Sequence, residues 1–322
     1  MSVALDRRHG LWDPPRKNFW QKLQAQLTLQ MMVLSGIVFI VIFSYLPMWG
    51  LLNAFKEYDI FKGFFRSPWV SLRQFQLFFN SPEWWEVLRN TVCISLLRLI
   101  LGFPAPIILA LLISEVADGY FKRFIQTVSY LPHFLSWVIV GGIVMSMLST
   151  DNGSVNMLLQ WMKLTKEPIS FFTEPKYFWI ILVSVGIWKE AGFSAIIYLA
   201  AIAEVDPHLY EAAEVDGASK FQQITKITLP CIMPVITILL ILQLGSILSA
   251  GFEDILVLTN SGQNGILRSV ADVIDIYSFR QGIQNYRYSY ATAVGLFKSV
   301  VSIIILTTAN FIARKTNGNS LW

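Results

Sequence analysis

The sequence predicts an all-α protein that crosses a membrane six times, and three observations lead there. Hydrophobic residues make up 54% of the chain and charged residues only 14%, against about 25% charged in an ordinary soluble domain. Six apolar stretches, at about 31–53, 88–113, 125–148, 178–202, 232–258 and 291–313, each reach the ~20 residues that a helix needs to cross a hydrocarbon core. Between the fourth and fifth stretches lies a polar segment, YEAAEVDGASKFQQITKITLP at 210–230, with the punctuation of a helix–turn–helix.

The remaining composition narrows the class. A length of 322 residues would allow two soluble domains, but the apolar runs and a mean hydropathy of +0.53 argue for one membrane domain. The formal charge of +4 is spread along the chain and is no nucleic-acid signature. Cys93 and Cys231 lie in or beside apolar runs, so they read as small core residues and not as a disulfide framework or metal site. About thirty polar residues ahead of the first apolar run argue against a cleavable signal.

In chain order, residues 1–30 form an arm in which Trp20, Leu23 and Leu27 recur at helical spacing, as in an interfacial helix. The membrane domain spans 31–313, and 314–322 is a short tail. LGFPAP at 101–106 and the pair Gly141-Gly142 interrupt two spans, a break that membrane helices tolerate when neighbours re-satisfy the backbone. The loop at 54–87 is rich in aromatics, including Trp69, Trp84 and Trp85, as an interfacial belt would be. Basic residues are nearly even between the two sides, eleven against ten. Arg16, Lys17 and Lys22 before the first span, with Arg314 and Lys315 after the last, favour cytoplasmic termini.

That topology puts the loop at 203–230 in the cytoplasm. Asp206 can cap a helix that begins at Pro207, where a missing N–H costs nothing. Leu209, Ala212, Ala213 and Val215 give it a short apolar stripe, and Gly217 sits where a left-handed residue would end it. Phe221, Ile224 and Thr228 mark a second short helix, with Leu229-Pro230 and Pro234 turning the chain into the fifth span. Helices this short need an outside surface to hold them. The small residues Ala212, Ala213, Gly217 and Ala218 would let one approach closely.

Glu211-Ala212-Ala213, then Gly217, then Ile227, Leu229 and Pro230 reproduce, spacing by spacing, the cytoplasmic-loop signature of binding-protein-dependent ABC importer permeases. YLPHFLSWVIVGG at 130–142, IWKEAGFSAIIYLAAI at 187–202, YSYATAVGLFKSV at 288–300 and SLW at the end resemble the oligosaccharide and polysaccharide subfamily. Within it the chain looks like permeases for acidic polysaccharide fragments such as alginate or pectin pieces. The resemblance implies the type I importer permease fold. It implies a coupling helix carrying Asp206, Leu209, Glu211, Ala212, Ala213, Asp216, Gly217 and Ala218, seated in a groove of a cytoplasmic ATPase. The implied partners are a second, related permease chain, two copies of that ATPase and an extracytoplasmic solute-binding protein. This chain itself would bind no cofactor: it has no G-x-x-x-x-G-K-[ST], so ATP and Mg²⁺ belong to the ATPase.

Ionisable residues inside spans are expensive and usually line a pathway or pair with one another. Lys189 and Glu190 fall near the middle of the fourth span, with Arg98 and Lys298 nearer the outside. Lys298 with Glu190 is one structural pairing. Three cations against one acid otherwise leave a positive surplus, which suits an anionic saccharide. Trp188, Phe193 and Tyr198 would stack on sugar rings or form a packed seam, and Gln243 would bond a hydroxyl or a neighbouring helix. Glu253 and Asp254 suit an outer rim or gate, and His133 beside Pro132 a structural role. The alternative is an ion-coupled secondary transporter for a small polar solute, which would need coupling carboxylates at depth and usually an internal repeat. A membrane enzyme finds no H-E-x-x-H or G-x-S-x-G to support it.

Overall fold

A computed structural model of the chain describes residues 26–262, 264–318 and 320–321. The arm residues Arg16, Lys17, Trp20, Lys22 and Leu23 lie outside the described residues. Those described are helical or irregular, with one isolated extended bridge between Lys56 and Trp69. The chain up to Leu52 and the chain from Asn53 onward are separate compact units.

The first unit holds most of the first span, Leu27–Phe55. This helix is apolar on every side, and none of its most apolar stretch is buried. Such a surface faces lipid or another protein. It changes pitch at a π turn, Val41–Tyr45, two residues ahead of Pro47. The same device recurs in the second unit. The second span, Trp84–Ser114, has a π turn at Arg98–Gly102 before Pro104. The fifth, Lys220–Gly245, has one at Ile224–Thr228 before Pro230. In each case the residue preceding the proline donates five residues back: Leu46 to Val41, Phe103 to Arg98 and Leu229 to Ile224. Proline removes one donor and crowds the carbonyl four residues earlier. The widened turn re-satisfies the neighbouring backbone, as hydrocarbon requires.

Two spans differ from the sequence expectation. The third is a bent pair, Tyr120–Phe134 and Trp137–Met147, meeting at 101°. Pro132 and an extended Leu135 end the first half, and the Ser136 hydroxyl accepts from Ile139 N to cap the second. The fifth is not 232–258. It starts earlier, because Ser219 makes a capping box with Gln222 and the helix runs on through Pro230 and Pro234 without a turn. It stops at Gly245. The chain then bends through Gly251 (φ +99°) into a separate short helix, Glu253–Leu258. The expected second loop helix is therefore the first turns of the fifth span.

The fourth span, Pro175–Ala203, is the axis of the second unit. It packs on the first half of the third span so closely that a Cβ at Gly192 would collide with the carbonyl of Ser129. The sixth span runs Tyr288–Thr316 and ends at a left-handed Gly318 (φ +69°). The main core gathers where the chain folds back after the fifth span. Ile255, Leu258, Leu267, Val273 and Ile276 pack with Ile94, Val140, Phe178 and Leu182, each worth roughly 1.5–3 kcal/mol of apolar burial. Gly141 makes room there for Val257. An aromatic cluster of Phe78, Tyr277, Tyr290, Trp84 and Phe297 adjoins it. Trp84 is thus packed, whereas Trp69 and Trp85 stay exposed. Of the two cysteines, Cys231 is exposed and is not a core residue.

Replacing Gly192 by Ala forces the third and fourth spans apart, at a cost of about 1–3 kcal/mol. The expected outcome is a lower thermal midpoint for the detergent-solubilised protein; an unchanged midpoint would contradict the close approach.

Candidate functional site

Two regions are candidates for function: the helix that joins the fourth and fifth spans, and a cavity that both spans help to line. The first is the helix Pro207–Val215 that joins them. Its cap is as the sequence implies: Asp206 Oδ1 accepts from His208 N at 3.0 Å, and Pro207 is the first helical residue. Gly217 (φ +74°) closes it, with Ala218 N donating to Ala213 O at 2.9 Å. No residue of this helix is buried. Leu209, Glu211, Ala212 and Asp216 are exposed, Val215 is 89% exposed, and Ala213 and Ala218 are half-buried. A side-chain hitch ties it to the fifth span, from the Tyr210 hydroxyl to Thr228 Oγ1 at 2.9 Å, on the π turn. Lys220 lies 3.0 Å from Glu214 and holds that carboxyl below its ordinary range.

The second region is a cavity of about 490 Å³ between the second, fourth and fifth spans and the start of Trp137–Met147. Arg98, Glu190, Ser194, Tyr198, Gln243 and Ser246 supply its polar wall, and Trp137 and Phe103 offer rings. Of the pathway candidates named from sequence, Arg98, Glu190 and Gln243 line it, and Trp188, Lys189 and Lys298 do not. Ser194 and Ser246 were missed, although a signal existed. They lie four residues beyond Glu190 and three beyond Gln243, which is the same helical face.

The positive surplus does not survive in three dimensions. Lys189 is 5% exposed; its Nζ donates to His133 O at 2.9 Å and to Glu190 Oε1 at 3.0 Å. Glu190 Oε2 also meets His133 Nδ1 at 2.7 Å, and the His133 ring stacks on Phe193 at 3.9 Å. His133 and Phe193 are therefore structural partners at the bend of the third span. Lys298 pairs with Asp275 at 2.5 Å, not with Glu190. Arg98 pairs with Asp254, which is only 2% exposed and so is no rim residue, while Glu253 beside it is exposed. Both carboxylates come from the fold-back after the fifth span: Asp254 from its first helix, and Asp275 from farther on, where no residue was singled out from sequence. Asp272, also there, receives Arg280 at 2.8 and 2.5 Å; burial nevertheless pushes its carboxyl above the ordinary range. Among the described residues no group of three His, Cys, Asp or Glu side chains is placed to hold a metal ion.

Helices long and apolar enough to cross a membrane, a polar cavity between the second, fourth and fifth of them, and a capped helix left bare between the last two fit the membrane subunit of a transporter. The chain belongs to the family described as binding-protein-dependent transport system inner membrane component, whose model matches residues 102–318. It is a permease subunit and not an enzyme, and the ion-coupled alternative gives way to this membership. Protein LplB of Bacillus subtilis (strain 168) is 47% identical to it over 93% of this chain and 92% of LplB. The polygalacturonan/rhamnogalacturonan transport system permease protein YteP of the same organism is 43% identical, over 93% and 92%. A chain in the crystal structure of a bacterial ABC transporter involved in the import of the acidic polysaccharide alginate superposes with a TM-score of 0.85. That chain is 42% identical, over 94% of this chain and all of its own. A second structure of the alginate transporter, in complex with an alginate pentasaccharide-bound periplasmic protein, matches equally well. The all-α permease fold expected from sequence is confirmed by these matches.

Lys298 and Asp275 are each about one-fifth exposed, so removing one strands the other in a partly dry site. Lys298→Met and Asp275→Asn should each lower the thermal midpoint, and the double variant should recover part of the loss. The expected coupling is about 0.5–3 kcal/mol; simple additivity in the double-mutant cycle would refute the pairing.

Proposed function

We propose that the chain is the permease subunit of an ATP-driven importer of acidic oligosaccharides or polysaccharide fragments. The observation that carries the ATP-driven part is the helix Pro207–Val215. It is capped at both ends, has no buried residue, and joins two spans that line the cavity. Leu209 and Val215 offer an apolar seat, Ala212, Ala213, Gly217 and Ala218 permit close approach, and Glu211 offers a charge to a basic or polar group on an ATPase. Closure of two ATPase copies on ATP and Mg²⁺ moves this helix. The spans follow as rigid bodies between inward- and outward-facing states. A second, related permease completes the pathway, and an extracytoplasmic binding protein delivers the sugar. This arrangement puts the loop and both termini in the cytoplasm.

An acidic saccharide is supported by two relatives, a polygalacturonan/rhamnogalacturonan permease and an alginate importer, and by the cavity chemistry. Hydroxyl and amide groups from Ser194, Tyr198, Gln243 and Ser246 suit sugar hydroxyls, and Arg98 suits a carboxylate. The test is reconstitution of the permease pair with its ATPase and binding protein, followed by sugar-stimulated ATP hydrolysis across acidic and neutral oligosaccharides. Stimulation by neutral oligomers alone would overturn the acidic part, and transport without the ATPase would overturn the whole.

Gly217→Val puts a β-branched residue at φ +74° and costs about 1–2 kcal/mol of local backbone energy. The expected result is a permease that inserts normally yet loses most ATPase co-purification and transport. Wild-type coupling in this variant would remove Gly217 from the docking geometry.

A further inference from the structure

The cavity wall contains one cation, Arg98, and its guanidinium is held in an unusual way. Arg98 begins the π turn of the second span, and one terminal nitrogen donates to Asp254 Oδ2. The guanidinium comes close to the backbone at Gly251: a Cβ there would fall 2.6 and 2.7 Å from its two terminal nitrogens and 2.4 Å from Asp254 Oδ1. Only glycine, at φ +99°, allows that approach. Arg98 Nε is buried and has no acceptor. A guanidinium offers five N–H donors in a planar fork that matches a carboxylate two-to-two. Here the internal carboxylate takes it end-on and leaves donors unused.

The surrounding charges make this guanidinium the place for a substrate anion. Glu190 shares the wall, but Lys189 and His133 already meet its two oxygens. Lys298 is spent on Asp275, outside the cavity lining. Asp254 therefore competes directly with any carboxylate that enters. We propose that Arg98 recognises a uronate carboxylate of the substrate and that Asp254 is its internal stand-in, released when the sugar arrives. The proposal rests on the acidic-saccharide reading above.

Release has a mechanical consequence. Asp254 is 2% exposed, and without its cation it keeps one donor, Ile255 N on Oδ1 at 3.0 Å, so its charge is costly in so dry a place. On this proposal that cost is relieved by movement toward water, and the segment from Gly251 to Leu258 shifts with it. That segment starts the fold-back over the main core. Substrate in the cavity thereby unlatches the chain that covers the bundle core, by exchange of one carboxylate for another at a single guanidinium.

The test uses the complete transporter with its binding protein in lipid nanodiscs. It is loaded either with an oligogalacturonide or with the same oligomer after reduction of its carboxyls to alcohols. Amide hydrogen exchange is followed over residues 247–258. In the wild type the acidic oligomer should speed exchange there by at least tenfold, and the reduced oligomer should not. Asp254→Asn should show the fast exchange without any sugar. Arg98→Gln, where it assembles, should lose the preference for the acidic over the reduced oligomer in proteoliposome uptake. If the wild type imports the acidic oligomer but 247–258 exchanges alike with and without it, the latch is overturned and the saccharide reading stands. Wild-type-like exchange in Asp254→Asn overturns the latch equally. A wild type that imports no acidic oligomer removes both.

Discussion

A charge inside a hydrocarbon slab is tolerated only when an opposite charge reaches it, and that requirement organises the second half of this chain. Arg98 and Lys298 stand on the second and sixth spans, far apart in sequence from any acid of similar depth. Their partners, Asp254 and Asp275, arrive because the residues after Gly245 turn back into the bundle and do not run on as helix. The same fold-back brings Ile255, Leu258, Leu267 and Ile276 into the main core. Apolar burial holds the segment against the spans, and the ion pairs fix where along them it sits. Removing either would leave the other with little reason to persist.

The two functional regions share their supports. The fourth span runs from the cavity, through Glu190, Ser194 and Tyr198, straight to Ala203 and the exposed helix. The fifth returns from that helix to Gln243 and Ser246 on the cavity wall. A force on Pro207–Val215 therefore meets two stiff rods that both line the cavity. Within the two spans, the irregular turn on this route is the π turn at Ile224–Thr228, where Tyr210 is hitched through Thr228.

Much of this was legible in the sequence, for physical reasons. The apolar runs that became five spans and a bent pair, and the caps at Asp206 and Gly217, are local features, fixed by solvent transfer and backbone sterics, and their presence read correctly. The end of the fifth span did not. Residues 246–252 contain Ser246, Ser249 and Gly251, which membrane helices accept, so composition carried no warning of the bend. Charge pairing was misread for a different reason. Counting cations within spans omits acids that lie outside them in sequence but beside them in space, as Asp254 and Asp275 do. Lys189 looked like a pathway residue as a charge at mid-span and Trp188 as an aromatic beside the charged pair, yet successive residues on a helix point about 100° apart. Only Glu190 faces the cavity.

The three π turns that precede Pro47, Pro104 and Pro230 also bear on how such a chain can vary in length. A π turn holds one residue more than the α-turn it replaces. Deleting a single residue within 41–45, 98–102 or 224–228 lets that turn relax to α pitch, and every face beyond it keeps its direction. The same deletion a few residues away would spin the rest of the span by about 100° and scramble its contacts. Each proline thus marks a splice point, a place where single-codon insertions and deletions pass through a membrane helix without rotating what lies beyond.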